Sequence, residues 1–233
     1  MRALTGVSRA IAMSLLLSAA ACGRAPSQDW FPLDEGVSQT YAVTTTREGD
    51  TMEAVWTQTM LAPQSWYDEV VYPRRHSEGV TFLLKSDDKG LRRVALQADV
   101  DGAPIDDEEP RWVLKAPYRV GTEWSVLTVP YLLRRVNEYP NDLKYSHQVW
   151  MQWRITDVQA SVDVPAGHFS PCLRLEGEGK MRLYTDPVKG FQDVPILGQE
   201  WYCRGRGLVK WTRIEHIQSG FYTGGEVSAQ LLH

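Results

Sequence analysis

Cysteine is scarce in this sequence, and a second long apolar run is missing. Three cysteines occur in 233 residues, too few for a disulfide-rich scaffold. After the first 22 residues, no apolar run reaches the roughly 18 residues of a membrane-spanning helix. The 18 glycines and 13 prolines do not indicate a collagen-like or low-complexity chain. What remains is a globular chain with enough apolar residues for one good-sized core or two small ones.

The usual motifs of enzymes are also absent. The sequence contains no Gly-x-Ser-x-Gly elbow, Walker loop, Gly-x-Gly-x-x-Gly fingerprint or His-Glu-x-x-His pair. It contains neither Cys-x-x-Cys nor a Cys/His zinc spacing. We therefore expect no catalytic residue, no cofactor and no metal site. The alternative is a periplasmic hydrolase or carbohydrate-active enzyme, because a catalytic pair of carboxylates needs only spatial closeness.

The strongest local signal is the N-terminal segment. Arg2 and Arg9 precede an apolar stretch at 11–17, and small residues follow at 18–21, directly before Cys22. This layout is typical of a secretory signal. The ending Ala-Ala-Ala-Cys resembles the lipobox of bacterial lipoproteins, which implies cleavage after residue 21 and diacylglycerol on Cys22. The alternative is an ordinary signal peptide with an incidental cysteine.

The anchor defines an expected location and a domain plan. We expect residues 1–21 to be a lipoprotein signal peptide, 22–29 the acylated cysteine and a polar tether, 30–225 a single β domain, and 226–233 a C-terminal tail. The protein would lie in the cell envelope, bound to the membrane through lipid on Cys22. If the cell is Gram-negative, Gly23 is compatible with the outer membrane, facing the periplasm. The mature chain carries 23 basic and 29 acidic residues, which argues against nucleic acid.

The two remaining cysteines, Cys172 and Cys203, form an even pair. In an oxidising compartment such a pair favours a disulfide, which would close a loop of about 30 residues and add about 3–4 kcal/mol of stability in the chain-entropy model. Two buried free thiols are the alternative.

Apolar and polar residues alternate along most of the body. His147, Val149, Met151, Trp153 and Ile155 share one face of a strand, and more polar residues share the other. The turn at 164–167 then predicts a hairpin over about 147–184. A second hairpin is predicted at 80–97, and further strands at 38–47, 52–61, 111–115, 123–129, 181–185 and 208–214.

These patterns predict a mainly β fold with little helix. The expected architecture is an antiparallel curved sheet, an incomplete barrel or a sandwich. A short helix at 129–139 is disfavoured because Pro130 and Pro140 bracket the segment. The acidic segment 99–109 is expected to be a solvated hairpin or a loop that faces a partner. Calcium at 99–102 is the weaker interpretation of that segment, because later ligands lack the EF-hand spacing.

Several charged and aromatic residues have two interpretations. The arginine pairs at 74–75, 92–93 and 134–135 either touch lipid headgroups or peptidoglycan, or face outward beside acidic residues on neighbouring strands. The nine tryptophans either line a sugar or lipid cleft or form the core and rim of the sheet. We expect none of the five histidines to be catalytic, and we expect His147 to be a core residue.

Four short motifs together resemble a family of uncharacterised bacterial secreted proteins and lipoproteins. They are Phe-Pro-Leu-Asp-Glu-Gly at 31–36 with Tyr41, an internal element at 116–124, Val-Pro-Ala-Gly-His-Phe with Cys-Leu-Arg-Leu-Glu within 164–176, and the stretch 202–210. The resemblance implies a secreted antiparallel β domain, in the manner of a curved half-barrel. It implies no reaction and no catalytic residues. Cys203 stands where the family usually has alanine, so the disulfide is not implied by the resemblance.

The expected function is that of a membrane-anchored envelope lipoprotein whose β domain binds a partner or an apolar ligand without catalysis. The partner would be an envelope protein or a lipid ligand. A curved sheet with an apolar concave face would favour a carrier, and a filled core with a flat exposed apolar patch would favour a protein-interaction module.

Overall fold

The computed structural model describes residues 27–217 and 219–233, and its regular structure is almost entirely β-strand. This confirms the mainly β class. The only helical elements in these ranges are α1 (Ser27–Trp30) and a 3-10 turn at Leu143–Tyr145. The strands are β1 (Ser38–Arg47), β2 (Asp50–Met60), β3 (Gln64–Trp66), β4 (Glu69–His76), β5 (Thr81–Asp87), β6 (Gly90–Gln97), β7 (Ile105–Lys115), β8 (Glu123–Thr128), β9 (Arg134–Arg135), β10 (Val149–Val164), β11 (Gly167–Asp186), β12 (Gly190–Cys203), β13 (Gly207–Glu215), β14 (Tyr222–Thr223) and β15 (Gly225–Leu231).

Thirteen of these strands form one antiparallel sheet. Its order is β7-β6-β5-β4-β2-β1-β15-β13-β12-β11-β10-β8, with β3 paired to β4 beside this path. The end strands β7 and β8 contact each other, although the pairings of the described residues include no ladder between them. The sheet is therefore nearly closed into a barrel, which confirms the expected incomplete barrel. Strands β9 and β14 form a separate two-stranded sheet.

The β10–β11 hairpin follows from the period-two pattern. Met151 and Ile155 are fully buried and Val149 nearly so, whereas Trp150, on the other face, is 52% exposed. Val164 pairs with Gly167 across the turn, as the predicted turn requires. Residues 181–185, predicted as a separate strand, are instead the continuation of β11.

The C-terminal segment 226–233, expected to be a tail, mostly belongs to the sheet. Strand β15 (Gly225–Leu231) pairs with β1 on one side and β13 on the other. Its alternate residues Val227, Ala229 and Leu231 are buried, because only one face of the strand meets the interior. The prediction of a tail was therefore wrong, and this strand joins the first and last parts of the sheet.

Two other segments had more than one interpretation from the sequence. Residues 129–139 form a loop with only the two-residue strand β9, and no helix is present among them. The acidic segment 99–109 belongs to the β6–β7 hairpin, as one of its two interpretations predicted, because β7 begins at Ile105 and carries the acidic residues 106–109 along an end strand of the sheet. One edge of β7 is hydrogen-bonded to β6.

The core begins immediately after α1. Trp30, Phe31 and Leu33 are buried in the main apolar cluster, and the Gly205 N–H donates to the Asp29 carbonyl over 2.7 Å. The Phe-Pro-Leu motif thus packs where β12 turns into β13.

No helix within 27–217 or 219–233 is long and apolar enough to cross a membrane.

Candidate ligand-binding cavity

The inward face of the sheet is not completely filled. A cavity of about 230 Å³ lies between β4–β8 on one side and β10, β12 and β13 on the other. Four arginines and one carboxylate line it together with three tryptophans: Arg74, Arg93, Arg111, Arg213, Glu200, Trp112, Trp124 and Trp153. The expected concave surface therefore exists, but it is aromatic and charged rather than purely apolar.

Trp153 forms a flat wall of this cavity because two glycines lie beneath its ring. Gly177 and Gly198 are opposite each other on β11 and β12. A Cβ atom on Gly177 would lie 2.8 Å from Trp153 Cδ2, and one on Gly198 would lie 2.8 Å from Trp153 Cη2. Only residues without a side chain leave room for the indole at this position, so both glycines hold the ring against the sheet. Trp124 lies beside Trp153 on the neighbouring strand.

Arg74 projects into the cavity from β4. Its guanidinium carbon lies 4.9 Å from the Phe31 ring centroid and 5.7 Å from that of Phe82, within the range of cation–π contact. The Nε and Nη1 atoms are buried and have no hydrogen-bond partner among the described residues. Burial lowers the pKa of Arg74 from its ordinary value. The side chain is therefore held by aromatic rings while its polar edge stays available.

Glu200 is the carboxylate that faces the same space. The Tyr202 hydroxyl donates a hydrogen bond of 2.8 Å to Glu200 Oε2. Burial raises the pKa of Glu200 from 4.5 to about 7, against the lowering effects of Tyr202, Arg213 and Arg74. The carboxyl group is thus close to half protonated at neutral pH. The same burial, with the neighbouring Glu200, raises the pKa of Tyr202 well above 10.

Arg213 and Glu215 form a buried pair at the border of the cavity. Arg213 Nε donates to Glu215 Oε1 over 2.9 Å, and the Arg213 guanidinium carbon lies 4.7 Å from the Tyr131 ring centroid. Arg213 Nη2 is buried without a hydrogen-bond partner in the part of the chain that the structure describes. Arg213 therefore donates a hydrogen bond through Nε, whereas its Nη2 atom has no acceptor among the described residues.

Glu215 also explains the path of the loop at 129–139. Its carboxylate accepts hydrogen bonds from the backbone N–H groups of Tyr131, Leu132 and Leu133, at 2.8–3.2 Å. A helix over this segment would direct those N–H groups elsewhere or leave the buried carboxylate without donors. A charged group at zero exposure needs such donors, so the loop conformation and the buried glutamate stabilise each other.

The other two arginines share one carboxylate. Arg93 makes a bidentate contact with Asp107, from Nε to Oδ2 at 2.7 Å and from Nη2 to Oδ1 at 2.5 Å. Arg111 Nε lies 3.4 Å from the same carboxylate. This cluster ties β6 to β7 beside the opening between β7 and β8.

The cysteines have different outcomes. Cys22, the predicted lipidation site, lies outside the described residues, as do the signal peptide and most of the tether. Cys172 and Cys203 form a disulfide between opposed residues of β11 and β12, so the bridge predicted from the pair is present and the free-thiol alternative is wrong.

None of the five histidines, all of which are described, lines the cavity. His168 is exposed beside Asp163, and His216 and His233 are exposed at the surface. His76 is the buried last residue of β4, with its ring centroid 5.3 Å from that of Trp56. His147, expected in the core, precedes β10, is only half-buried and contacts Ser146. In the described ranges, no group of three or more His, Cys, Asp or Glu side chains is arranged to hold a metal ion.

The sequence did not single out Arg74, Glu200 or Arg213. Arg74 and Arg75 were treated as one pair, although neighbours in a strand point to opposite faces. Arg75 is exposed and Arg74 faces the cavity. The alternation of faces along a strand could have identified Glu200. It lies two residues from Gly198 and two from Tyr202, so all three residues share one face of β12.

An aromatic patch lies on the outside of the molecule, at the hairpin that joins β11 and β12. The ring of Tyr184 is 5.4 Å from Phe191 and 6.2 Å from Phe221, measured between centroids. All three side chains are exposed. This is the kind of surface that was expected of an interaction module.

The sequence matches no protein-family model and no curated protein. Two solved structures resemble the fold, each at 13% sequence identity. One is a Bacteroides fragilis protein described as exported, with a YmcC-like fold (TM-score 0.46, covering 86% of this chain and 95% of that chain). The other is described as a lipoprotein of Parabacteroides distasonis (TM-score 0.39, covering 88% and 97%). Their descriptions belong to the broad class of exported bacterial proteins that the motifs resemble. At these values the likeness carries no argument about function.

Proposed function

We propose that this protein is a lipid-anchored lipoprotein of the cell envelope whose barrel binds a small ligand without reacting with it. The envelope location is supported by the signal layout before Cys22 and by the Cys172–Cys203 disulfide, since disulfides persist in oxidising compartments. Two or more acyl chains at Cys22 would anchor the protein firmly to a membrane.

One observation carries the ligand-binding proposal: the inward face of the barrel has a partly open, unfilled cavity of about 230 Å³ where a packed core would be expected. Protein interiors are normally close-packed, and ligand pockets commonly range from about 300 to 1,000 Å³. The cavity is smaller than this range, so it suits a small ligand. Its arginines disfavour the purely apolar ligand that the sequence had suggested, because an apolar ligand would leave these charges desolvated and unpaired.

The carboxylates at the cavity favour binding without catalysis. Glu200 is the carboxylate that lines the cavity, whereas hydrolysis of a glycosidic bond usually requires two. The nearby Glu215 has its oxygens occupied by Arg213 and three backbone N–H groups, so its carboxylate is committed to holding the loop at 129–139. A hydrolase stays the less favoured alternative.

The experiment is native mass spectrometry of the mature chain with Cys22→Ser, exported and purified from the periplasm without detergent. We expect a reproducible small-molecule adduct that is lost on denaturation. Val126→Phe, which narrows the cavity from β8, should abolish the adduct. Leu127→Phe is the matched control, because its side chain points to the other face of the same strand. A bare mass for the parent chain, or an adduct that survives Val126→Phe, would contradict the proposal.

The lipid anchor has its own test. Cys22→Ser should move the full-length protein from the membrane fraction to the soluble fraction after carbonate extraction of cells. Unchanged membrane association would contradict lipidation at Cys22.

A second candidate function, binding of an envelope protein, is favoured by the exposed aromatic patch of Tyr184, Phe191 and Phe221. A photo-crosslinking residue at position 184 should then give one discrete adduct in cells, whereas the same residue at the exposed position 178 should not.

A further inference from the structure

We propose that the ligand of the barrel cavity is a small organic anion, with its carboxylate, sulfonate or phosphate group held by Arg74 and Arg213 and its apolar part lying against Trp153. This inference rests on the proposed function, since it identifies the chemical class of the ligand that the cavity binds.

The first argument is the number of hydrogen-bond donors without partners. Arg74 Nε, Arg74 Nη1, Arg213 Nη2 and Trp124 Nε1 are all buried and have no acceptor within the described ranges. All three residues line the same cavity. Buried donors without acceptors are costly and uncommon in native proteins. All four of these atoms are donors, so a ligand group that pairs with them carries acceptor oxygens.

The second argument is the balance of charge. The cavity has four arginines, and the carboxylates next to them are Asp107, Glu200 and Glu215. Asp107 is shared between Arg93 and Arg111, and Glu215 pairs with Arg213. The remaining excess is one positive charge when Glu200 is ionised and two when it is protonated. A buried excess of positive charge favours an anionic ligand.

The third argument is that the two arginines are oriented in advance. Arg74 lies against the rings of Phe31 and Phe82, and Arg213 lies over Tyr131. Stacking on aromatic faces leaves the edge of a guanidinium free, and that edge matches the oxygens of a carboxylate or phosphate. Both arginines act electrostatically on Glu200, which places them around one common point. An anion there loses little affinity to the ordering of these side chains.

The cavity wall opposite the arginines is aromatic, which indicates that the ligand also has an apolar part. The indole of Trp153 lies flat on Gly177 and Gly198, so one face of this ring can meet the cavity. Trp124 and Val126 extend the same wall along β8. An aromatic ring or a short hydrocarbon chain with one anionic group fits this arrangement, whereas inorganic phosphate alone would leave the wall uncovered.

The experiment uses two probes that share a ring system and differ in charge: naphthalene-2-sulfonate and naphthalene-2-methanol. Their binding to the mature chain with Cys22→Ser, which keeps every residue of the barrel, is measured by titration calorimetry. We expect the sulfonate to bind at least tenfold more tightly than the alcohol.

The matched variants are Arg74→Gln and Arg75→Gln. Both remove one positive charge from neighbouring positions on β4, but Arg75 is exposed. Arg74→Gln should weaken binding of the sulfonate at least tenfold and leave the alcohol within twofold, whereas Arg75→Gln should change neither. If Arg74→Gln does not fold, raising the salt concentration from 0.05 to 0.5 M with the parent chain tests the same charge. The sulfonate should then bind more weakly and the alcohol should not.

The outcomes separate the two proposals. Equal affinity for both probes, with Val126→Phe blocking both, would overturn the anionic ligand and leave a cavity that binds apolar molecules. Weakening of the sulfonate by Arg75→Gln as much as by Arg74→Gln would place binding on the surface and overturn the inference. Failure of both probes to bind, together with a bare mass in native mass spectrometry, would overturn ligand binding as well.

Discussion

Replacement of Glu200 by glutamine should stabilise the protein above neutral pH and have little effect in acid. The carboxyl group is buried beside Tyr202, which donates to it, and Trp211 and Leu175 occupy the opposed positions on the two flanking strands. The charged groups that act on it are Arg213 and Arg74. Their attraction does not offset the cost of burial, because the pKa of Glu200 rises to about 7.

The direction of the change in stability with pH follows from which state, folded or unfolded, loses the Glu200 proton first. As pH rises, the unfolded chain releases the Glu200 proton near its ordinary pKa of 4.5, and the folded chain releases it near 7. Stability from this group is therefore complete below 4.5, falls between 4.5 and 7, and stays at its lower value above 7. The difference between the two pKa values corresponds to a loss of about 3 kcal/mol in the free energy of unfolding, at 1.36 kcal/mol per pH unit. We expect about 2 kcal/mol, because solvent screening at the partly open cavity weakens the effect.

Urea unfolding at pH 5 and pH 8 is the assay, with the mature Cys22→Ser chain as the parent. Glutamine resembles the protonated acid at both pH values, so Glu200→Gln should be about 2 kcal/mol more stable than the parent at pH 8. The gain at pH 5 should be less than half as large. Glu178→Gln, at an exposed position on β11, is the control and should show no such difference. A loss of stability at pH 8, or the same gain at both pH values, would refute the reasoning.

Three further predictions concern the supports of the cavity. Glu215→Gln should destabilise the protein by about 3–5 kcal/mol in urea unfolding, because Arg213 then loses its buried partner; a loss below 1 kcal/mol would contradict the role of the carboxylate. Gly177→Ala should displace the ring of Trp153 and change the near-ultraviolet circular dichroism, whereas the same substitution at the exposed Gly220 should not. Cys172→Ser should cost about 3–4 kcal/mol from the chain-entropy term alone. Labelling of the unfolded, non-reduced parent chain should show no free thiol at 172, and a labelled thiol there would reject the bridge.

The strands and hairpins with a clear period of two were predictable from local sequence. β1 (Ser38–Arg47) matches its predicted bounds, and the β5–β6 and β10–β11 hairpins lie where they were expected. The turn residues and the alternation are both local properties of the chain. They therefore indicate a strand and its two faces without knowledge of the neighbouring strands.

Other elements could not be recognised in this way. Strand β15 is hard to recognise because its alternation extends over only seven residues, and its stability comes from β1 and β13 on either side. The loop at 129–139 depends on Glu215, which lies more than 80 residues later in the chain. No local sequence pattern indicates a hydrogen-bond acceptor so far away in the chain.

The β class, the hairpins and the even pair of cysteines at 172 and 203 follow from the sequence alone. Three features depend on how distant strands pair: Cys172 lies opposite Cys203, the sheet curves until β7 meets β8, and Arg74 and Glu200 face one unfilled space. The reason is physical. Alternation along a strand separates its two faces, but whether the inner face meets packed side chains or a cavity depends on which strands lie across the barrel, and that is set by long-range pairing.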